Sequence, residues 1–278
     1  MSIPTAYLRS DIEAAWQGED PLQAAFKLNG EVFRQVATRT TMRVQIEGKH
    51  FFVKLHYGVG WLEVLKNWLQ LKRPVIGADN EYEICQALAS LGITAPIPAA
   101  FAMGPGSIAH RRSFVLCDEL QGYMSLEDVT DTWAQHPPTP MQRHRLLVGV
   151  ARFARGFHQA GFVHRDFYHC HLWLNQEAWS RNQVELGVLD LHRARQFAQL
   201  PDAWRARDLA ALLFSTLDFD FSQRQWLRFI RIYSQRPLRQ ELEERGAFWQ
   251  RVRRRAEKLY REGHRKGVVS GHYLRGTA

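Results

Sequence analysis

The 278-residue sequence predicts an α+β fold in which an N-terminal antiparallel β-sheet is followed by a mainly helical C-terminal half. Three strand-like runs come first, Glu31 to Thr38, Met42 to Glu47 and His50 to His56, and a turn at Gly48 joins the last two as a hairpin. Past Gly122 the spacing of apolar residues becomes helical. These two patterns in succession are the grounds for the predicted fold class.

The other elements of the N-terminal half follow from local signals. Residues 5–17 are predicted to form a short helix, and Asp79 to Leu91 a second one that ends at Gly92. Two further strands, residues 97–103 and 113–120, complete a predicted sheet of five strands. The N-terminal half therefore contains one helix of interest, Asp79 to Leu91, between its third and fourth strands.

A change in composition after Cys117 marks the domain boundary. The run from Phe114 is apolar up to Cys117 and then polar up to Gly122, which is typical of a connection between two lobes. We therefore predict an N-terminal β lobe of residues 1–120 and a helical lobe of residues 121–278. In the second lobe Ser125 to Asp128 has the spacing of a capping box. Longer helices are predicted near residues 141–160, 204–217, 222–233 and 238–263.

Composition excludes several classes of protein. The chain has three cysteines and no Cys-x-x-Cys pair, so neither a disulfide framework nor a zinc ribbon is predicted. The N-terminus does not resemble a secretory signal, and no apolar run reaches the ~18 residues of a spanning helix. We therefore expect a cytoplasmic protein in a reducing compartment that does not cross the bilayer.

The net charge of +9 is concentrated near the C-terminus. Arg251 to Lys266 carries eight Lys/Arg, Arg254 and Arg255 among them, against two glutamates, a local excess of +6. Such a run is either a solvated helix face or a field that attracts an anionic partner. Because no nucleic-acid recognition motif accompanies it, we expect no nucleic-acid partner.

The order of four residues along the chain indicates phosphoryl-transfer chemistry. Lys54 lies inside a strand (Phe51-Phe-Val-Lys-Leu55), Glu81 in the helix that follows, Asp166 in a His-Arg-Asp triplet and Asp190 at the end of an apolar strand. Lys54, held by Glu81, would grip ATP, with Glu83 as the alternative partner. Asp166 would orient the acceptor hydroxyl and take its proton, and Asp190 would bind Mg²⁺. The alternative reading of each aspartate is a capping or turn residue.

Two other parts of a nucleotide site have candidate residues: the turn that would cover the phosphates and the segment that would contact the adenine. The first hairpin turn, Ala37 to Thr41, has no glycine, so the hydroxyl of Thr40 and the side chain of Arg39 are candidates for phosphate contacts. Backbone groups between Glu119 and Gln121 are candidates for pairing with an adenine edge.

His171 lies five residues after Asp166, where kinases carry a metal-binding asparagine. Mg²⁺ prefers oxygen ligands over imidazole. Three interpretations are possible. His171 binds the metal through water, it supports the aspartate loop by hydrogen bonding, or the site accepts Mn²⁺ in addition to Mg²⁺.

An apolar stripe at helical spacing follows Lys54. It includes Trp61 and Trp68, and lysines lie on its other side. Core packing is one reading and a helix at the lipid headgroup boundary is the other.

Four segments of the sequence resemble the lipopolysaccharide core heptose kinases of Gram-negative bacteria, a family with a bilobal protein-kinase-like fold. They are Lys54-Leu-His-Tyr-Gly-Val-Gly-Trp61, Lys72-Arg-Pro-Val-Ile-Gly-Ala-Asp-Asn-Glu81, His164-Arg-Asp-Phe-Tyr-His-Cys-His171 and Arg207-Asp-Leu-Ala-Ala-Leu212. The resemblance covers residues 20–265, and its first and third segments are the most specific.

The resemblance implies ATP-dependent phosphorylation of the first inner-core heptose, at its 4-hydroxyl, on lipopolysaccharide at the cytoplasmic face of the inner membrane. It further implies that Asp208 braces the catalytic loop and that His164 and Arg165 support it. The expected partners are ATP and the lipid-attached inner core, with peripheral contact to the membrane.

Two alternatives stay open. One is another sugar phosphotransferase with a kinase-like fold, such as a Kdo kinase. The other is a non-catalytic membrane-surface binding module. A protein kinase is disfavoured because the chain reaches the next helix by Trp204 after Asp190, without an Ala-Pro-Glu segment.

Overall fold

A computed structural model describes residues 5–58, 77–107, 109–219 and 221–265. The chain divides into two compact units, one of residues 1–121 with 191–193 and one of residues 122–190 with 194–278. The predicted stripe with Trp61 and Trp68 lies outside the described residues.

The first unit is built on an antiparallel sheet of six strands, in the order β1-β5-β6-β4-β3-β2. Its strands are β1 (Ala6–Leu8), β2 (Glu31–Val36), β3 (Arg39–Ile46), β4 (Lys49–His56), β5 (Pro98–Met103) and β6 (Ser113–Asp118). Its helices within the described residues are α1 (Ser10–Trp16), α2 (Pro21–Lys27) and α3 (Asp79–Ser90).

The N-terminal strand was not predicted. Residues 5–17 were predicted as one helix, but Ala6–Leu8 pairs with β5 and α1 begins only at Ser10. A strand of three residues is too short to show an alternating pattern, and here its pairing with a distant strand decides its conformation. The sheet therefore has six strands rather than the predicted five.

The two faces of this sheet bury different groups. On one face Phe51, Val53 and Leu55 of β4 pack with residues of α1 and α2, including Ile12 and Ala25. On the other face α3 packs through Ala78 and Tyr82 against Phe101, Val115 and Cys117. Because side chains alternate along a strand, Lys54 lies on the face that carries α3.

The second unit is mainly helical, as predicted. Its helices are α4 (Leu126–Asp131), α5 (Pro140–Gln159), α6 (Gln176–Ser180), α7 (Asp202–Phe214), α8 (Gln223–Ser234) and α9 (Leu238–Arg265). Short strands form two small antiparallel sheets, one of β7 (Tyr123–Ser125), β9 (Leu172–Asn175) and β10 (Leu186–Val188), the other of β8 (Phe162–Val163) and β11 (Arg195–Gln196).

The ends of these helices follow from local capping. Thr139 and Gln142 form a capping box at the start of α5, with Pro140 at the first helical position. The predicted cap at Ser125 is also present, since its hydroxyl accepts the Asp128 amide at 3.0 Å. The helix α9 has a non-helical residue at Arg245, where the chain is kinked.

Candidate active site

The first unit brings Lys54 and Glu81 together. The Nζ of Lys54 donates a hydrogen bond to Oε1 of Glu81 at 2.6 Å, and the two side chains are 16% and 6% exposed. Glu83, the alternative partner, is exposed. The ion pair therefore fixes the position of the Lys54 ammonium on this face of the sheet.

Thr40 does not share the face of Lys54. It is 4% exposed on the opposite face of the sheet, and its hydroxyl accepts a hydrogen bond from Tyr57 at 3.0 Å. The strand register puts Thr41 directly across from Lys54 and Thr40 across from Leu55. Sequence alone does not distinguish these two threonines, because a shift of one residue in the strand register exchanges the sheet faces on which they lie.

The segment after β6 is held by charge and by backbone pairing. Arg43 donates two hydrogen bonds to the carboxylate of Glu119, both at 2.9 Å. The amide of Glu119 donates to His50 and that of Gln121 to Glu119. The Glu119 side chain therefore fixes the segment to β3, and the amides of Glu119 and Gln121 are already engaged within the chain.

In the second unit, Asp208 of α7 receives the backbone of the His-Arg-Asp segment. Its two carboxylate oxygens accept the amides of His164 at 2.6 Å and Arg165 at 2.8 Å, and it is fully buried. Arg165 has a φ of 74°, a left-handed conformation that costs energy for a residue with a side chain. The two hydrogen bonds stabilise this turn immediately before Asp166.

Asp208 is linked to two further buried polar side chains, His158 and Tyr233. Its Oδ2 lies 3.4 Å from Nε2 of His158, and Nδ1 of His158 lies 2.8 Å from the hydroxyl of Tyr233. The carboxylate can only accept, so Nε2 of His158 carries the proton and Nδ1 accepts from the Tyr233 hydroxyl, whose pKa is raised by burial. Sequence reasoning missed both residues, because they come from α5 and α8 and belong to no local motif.

His164 is a neutral structural group. Its Nε2 lies 2.8 Å from the carbonyl oxygen of Leu189, which can only accept, so Nε2 carries the proton. Burial, and then the neighbouring His171, lower the pKa of His164 to about 4. The ring stacks against His171, with centroids 5.2 Å apart. At neutral pH it therefore tethers the His-Arg-Asp segment to the residue that follows β10.

His171 is oriented by the loop that carries Asp166. Its Nδ1 donates to the backbone oxygen of Asp166 at 2.7 Å, which leaves the lone pair of the neutral ring on Nε2. Asp190 follows β10 with a φ of 58°, a conformation that aspartate tolerates better than most residues. Its Oδ2 lies 3.8 Å from Nε2 of His171.

These two side chains fit a divalent cation. An imidazole lone pair and a carboxylate oxygen are directed towards the same region, and the amide of Leu189 pairs with the carbonyl of His171 at 3.0 Å to hold them in place. Within the described ranges no group of three or more His, Cys, Asp or Glu side chains is arranged for a metal, so other ligands would come from phosphate oxygens and water.

The surface candidates lie on α9. Arg254 and Arg255 are exposed there, and Arg254 lies on the side opposite the buried Val252 and Ala256. Within the part of the chain that the structure describes, no helix is both long and apolar enough to span a bilayer.

Together, a sheet unit with a strand lysine paired to a helix glutamate and a helical unit with a braced His-Arg-Asp loop define a phosphotransferase of the protein-kinase-like fold. The family model of the lipopolysaccharide kinase (Kdo/WaaP) family matches residues 23–233. The chain belongs to this family.

Individual relatives match over nearly their whole length. The chain is 38% identical to the lipopolysaccharide core heptose(I) kinase WaaP of Pseudomonas aeruginosa, over 94% of this chain and 97% of the relative. It is 35% identical to the enzyme of the same name from Escherichia coli K12, over 94% and 99%. A solved structure described as WaaP in complex with acyl carrier protein covers 92% of this chain and 99% of its own, with 34% identity and a TM-score of 0.78.

Proposed function

We propose that this protein is an ATP-dependent lipopolysaccharide core heptose(I) kinase that phosphorylates the 4-hydroxyl of the first inner-core heptose. The Lys54–Glu81 ion pair is the observation that supports the reaction class most directly. The acceptor is supported by the names of relatives that share 34–38% of the sequence.

In this mechanism the oxygen of the heptose hydroxyl attacks the γ-phosphorus of ATP, and the bond from that phosphorus to the bridging oxygen of ADP breaks. Asp166 orients the hydroxyl and accepts its proton. Lys54 binds the α- and β-phosphates, while Glu81 holds its ammonium in place. Asp208, with His164 and Arg165, fixes the backbone of the loop.

Asp190 and His171 are the residues that would hold Mg²⁺ or Mn²⁺. A divalent cation there would supply positive charge to the phosphate oxygens. Of the two proposed lobes, residues 1–120 would cover the nucleotide and residues 121–278 would carry the catalytic loop.

Mass spectrometry of the acceptor tests the proposal. Purified inner-core lipopolysaccharide is incubated with ATP, a divalent cation and either the wild-type chain or Asp166→Ala. We expect the wild-type chain alone to add one phosphate mass to a heptose. Phosphate on another core sugar would favour a different sugar kinase, and no transfer with intact nucleotide binding would favour a binding module.

The imidazole ligand leads to a prediction about metal preference. We expect His171→Asn to keep substantial activity and to raise the ratio of kcat/KM with Mg²⁺ to kcat/KM with Mn²⁺, because an amide oxygen replaces a nitrogen ligand. Steady-state kinetics with each metal measure that ratio. A folded variant without activity in either metal would contradict the exchange of ligands.

We further propose that the enzyme acts at the cytoplasmic face of the inner membrane and that the basic side of α9 contributes to this contact. The double variant Arg254→Gln/Arg255→Gln should bind anionic vesicles about 30-fold more weakly, since a surface cation contributes about 1 kcal/mol there. Cosedimentation with anionic and with neutral vesicles measures the loss.

Arg181→Gln/Arg224→Gln is the matched control, because both arginines are exposed and neither lies on α9. Equal weakening by the two double variants would show that only net charge matters and would remove α9 from the proposal.

A further inference from the structure

The face of the sheet that carries Lys54 holds additional basic side chains. Phe51, Val53 and Leu55 are 1%, 0% and 3% exposed in the core, so the alternate residues of β4, Lys54 and His56 among them, lie on the other face. The register of β2, β3 and β4 arranges this face in rows. One row is Arg34, Thr41 and Lys54, and the next is Val36, Arg39 and His56.

His56 is buried among basic groups on this face. It is 5% exposed, and its Nε2 is buried without a hydrogen-bond partner in the described part of the chain. Burial lowers its pKa to about 3, with further lowering by Arg39, Lys54 and His192. Buried polar atoms without partners are uncommon and often mark a functional site. The basic groups around His56 therefore form an environment that is suited to an anion.

The two arginines of these rows are not neutralised by neighbouring carboxylates. Among the described residues, neither Arg34 nor Arg39 has a carboxylate oxygen within 4.0 Å. Arg43, one row further along the same face, differs because it is bound by both oxygens of Glu119. The positive charges of Arg34 and Arg39 therefore lie beside Lys54 without a paired carboxylate among the described residues, at the end of β3 that follows the β2–β3 turn.

The turn between β2 and β3 lacks the glycines that would let its backbone amides contact phosphate oxygens. A glycine-rich turn lets backbone amides approach phosphate oxygens closely. In this chain the turn is Ala37 and Thr38, each with a side chain.

We propose that Arg34 and Arg39 bind the terminal phosphates of the nucleotide through their guanidinium groups, in place of the backbone amides of a glycine-rich turn. This inference rests on the proposed function, because it takes the nucleotide to be bound at Lys54. Guanidinium groups bind phosphate through paired, charge-assisted hydrogen bonds, and side chains reach further than a backbone amide.

Nucleotides of different phosphate number test the role. The variants Arg34→Gln and Arg39→Gln are titrated with a non-hydrolysable ATP analogue, with AMP and with adenosine. We expect affinity for the ATP analogue to fall about ten- to hundredfold per arginine, the factor for one charge-assisted contact, while adenosine binding stays unchanged. Arg39→Lys should restore part of the loss.

Lys49→Gln is the matched control. It removes one positive charge from the same strand, but on the other sheet face and about 17 Å along the strand from Lys54. Its affinity for the ATP analogue should equal that of the wild-type chain. An NMR titration adds a second readout, since a phosphate held here should raise the pKa of His56.

Two results would overturn the inference: unchanged affinity for the ATP analogue in both arginine variants, or an equal loss for adenosine, which would indicate damage to the fold. The proposed function fails separately, if the wild-type chain binds the analogue with the expected phosphate dependence but transfers no phosphate to heptose.

Discussion

Replacing Asp166 by asparagine is expected to lower kcat about 10²- to 10⁴-fold, the contribution of a positioned general base. The amide is isosteric but cannot accept the proton of the heptose hydroxyl. The loop should keep its shape, because its hydrogen bonds from His171 and from the amide of Tyr168 go to the backbone oxygen of Asp166. The KM for ATP should therefore change little, and initial rates at several ATP concentrations separate the two effects.

Asp20→Asn provides the control for this substitution. Asp20 is an exposed N-cap of α2 that accepts the amide of Gln23 at 2.9 Å, and asparagine caps helices equally well. It removes one carboxylate without touching the proposed site. An Asp166→Asn enzyme with kcat within threefold of wild type would rule out Asp166 as the base.

Replacing Asp208 by alanine is expected to lower the free energy of unfolding by about 3–5 kcal/mol, the usual cost of removing one member of a buried charged network. Two backbone amides, of His164 and Arg165, would lose their acceptor inside the protein. His158 would lose the carboxylate beside its Nε2. Urea denaturation followed by circular dichroism measures the loss.

Two further variants separate the parts of this network. Asp208→Asn keeps one acceptor oxygen and should lose less stability than the alanine variant. Tyr233→Phe removes only the hydroxyl at the far end, which donates to His158 at 2.8 Å, and should cost about 1 kcal/mol. If Asp208→Ala were as stable as Tyr233→Phe, the carboxylate would not be the brace of the loop.

The chemistry of the candidate site could be predicted from the sequence because it depends on the order of motifs along the chain. Lys54 in a strand, Glu81 in the next helix and Asp166 in its triplet could be named without coordinates, and the structure brings the first two within 2.6 Å. The family prediction is confirmed by the matching family model and by the relatives. The catalytic and binding roles of the individual residues stay predictions.

What sequence did not provide depends on contacts between distant segments. The pairing of β3 with β4 decides that Thr41, and not Thr40, shares the sheet face of Lys54. The first strand forms only because β5 lies beside it. His158 and Tyr233 meet across 75 positions of sequence. In each case the local pattern is compatible with more than one structure, and packing against a remote element selects one of them.

The most direct test of the proposed activity is the position of the new phosphate on the acceptor. After reaction with ATP, the core oligosaccharide is isolated and examined by phosphorus–proton correlation NMR. We expect a phosphomonoester coupled to H4 of the first heptose, formed by the wild-type chain and absent with Asp166→Asn. A phosphate on any other sugar or hydroxyl, or none at all, would contradict it.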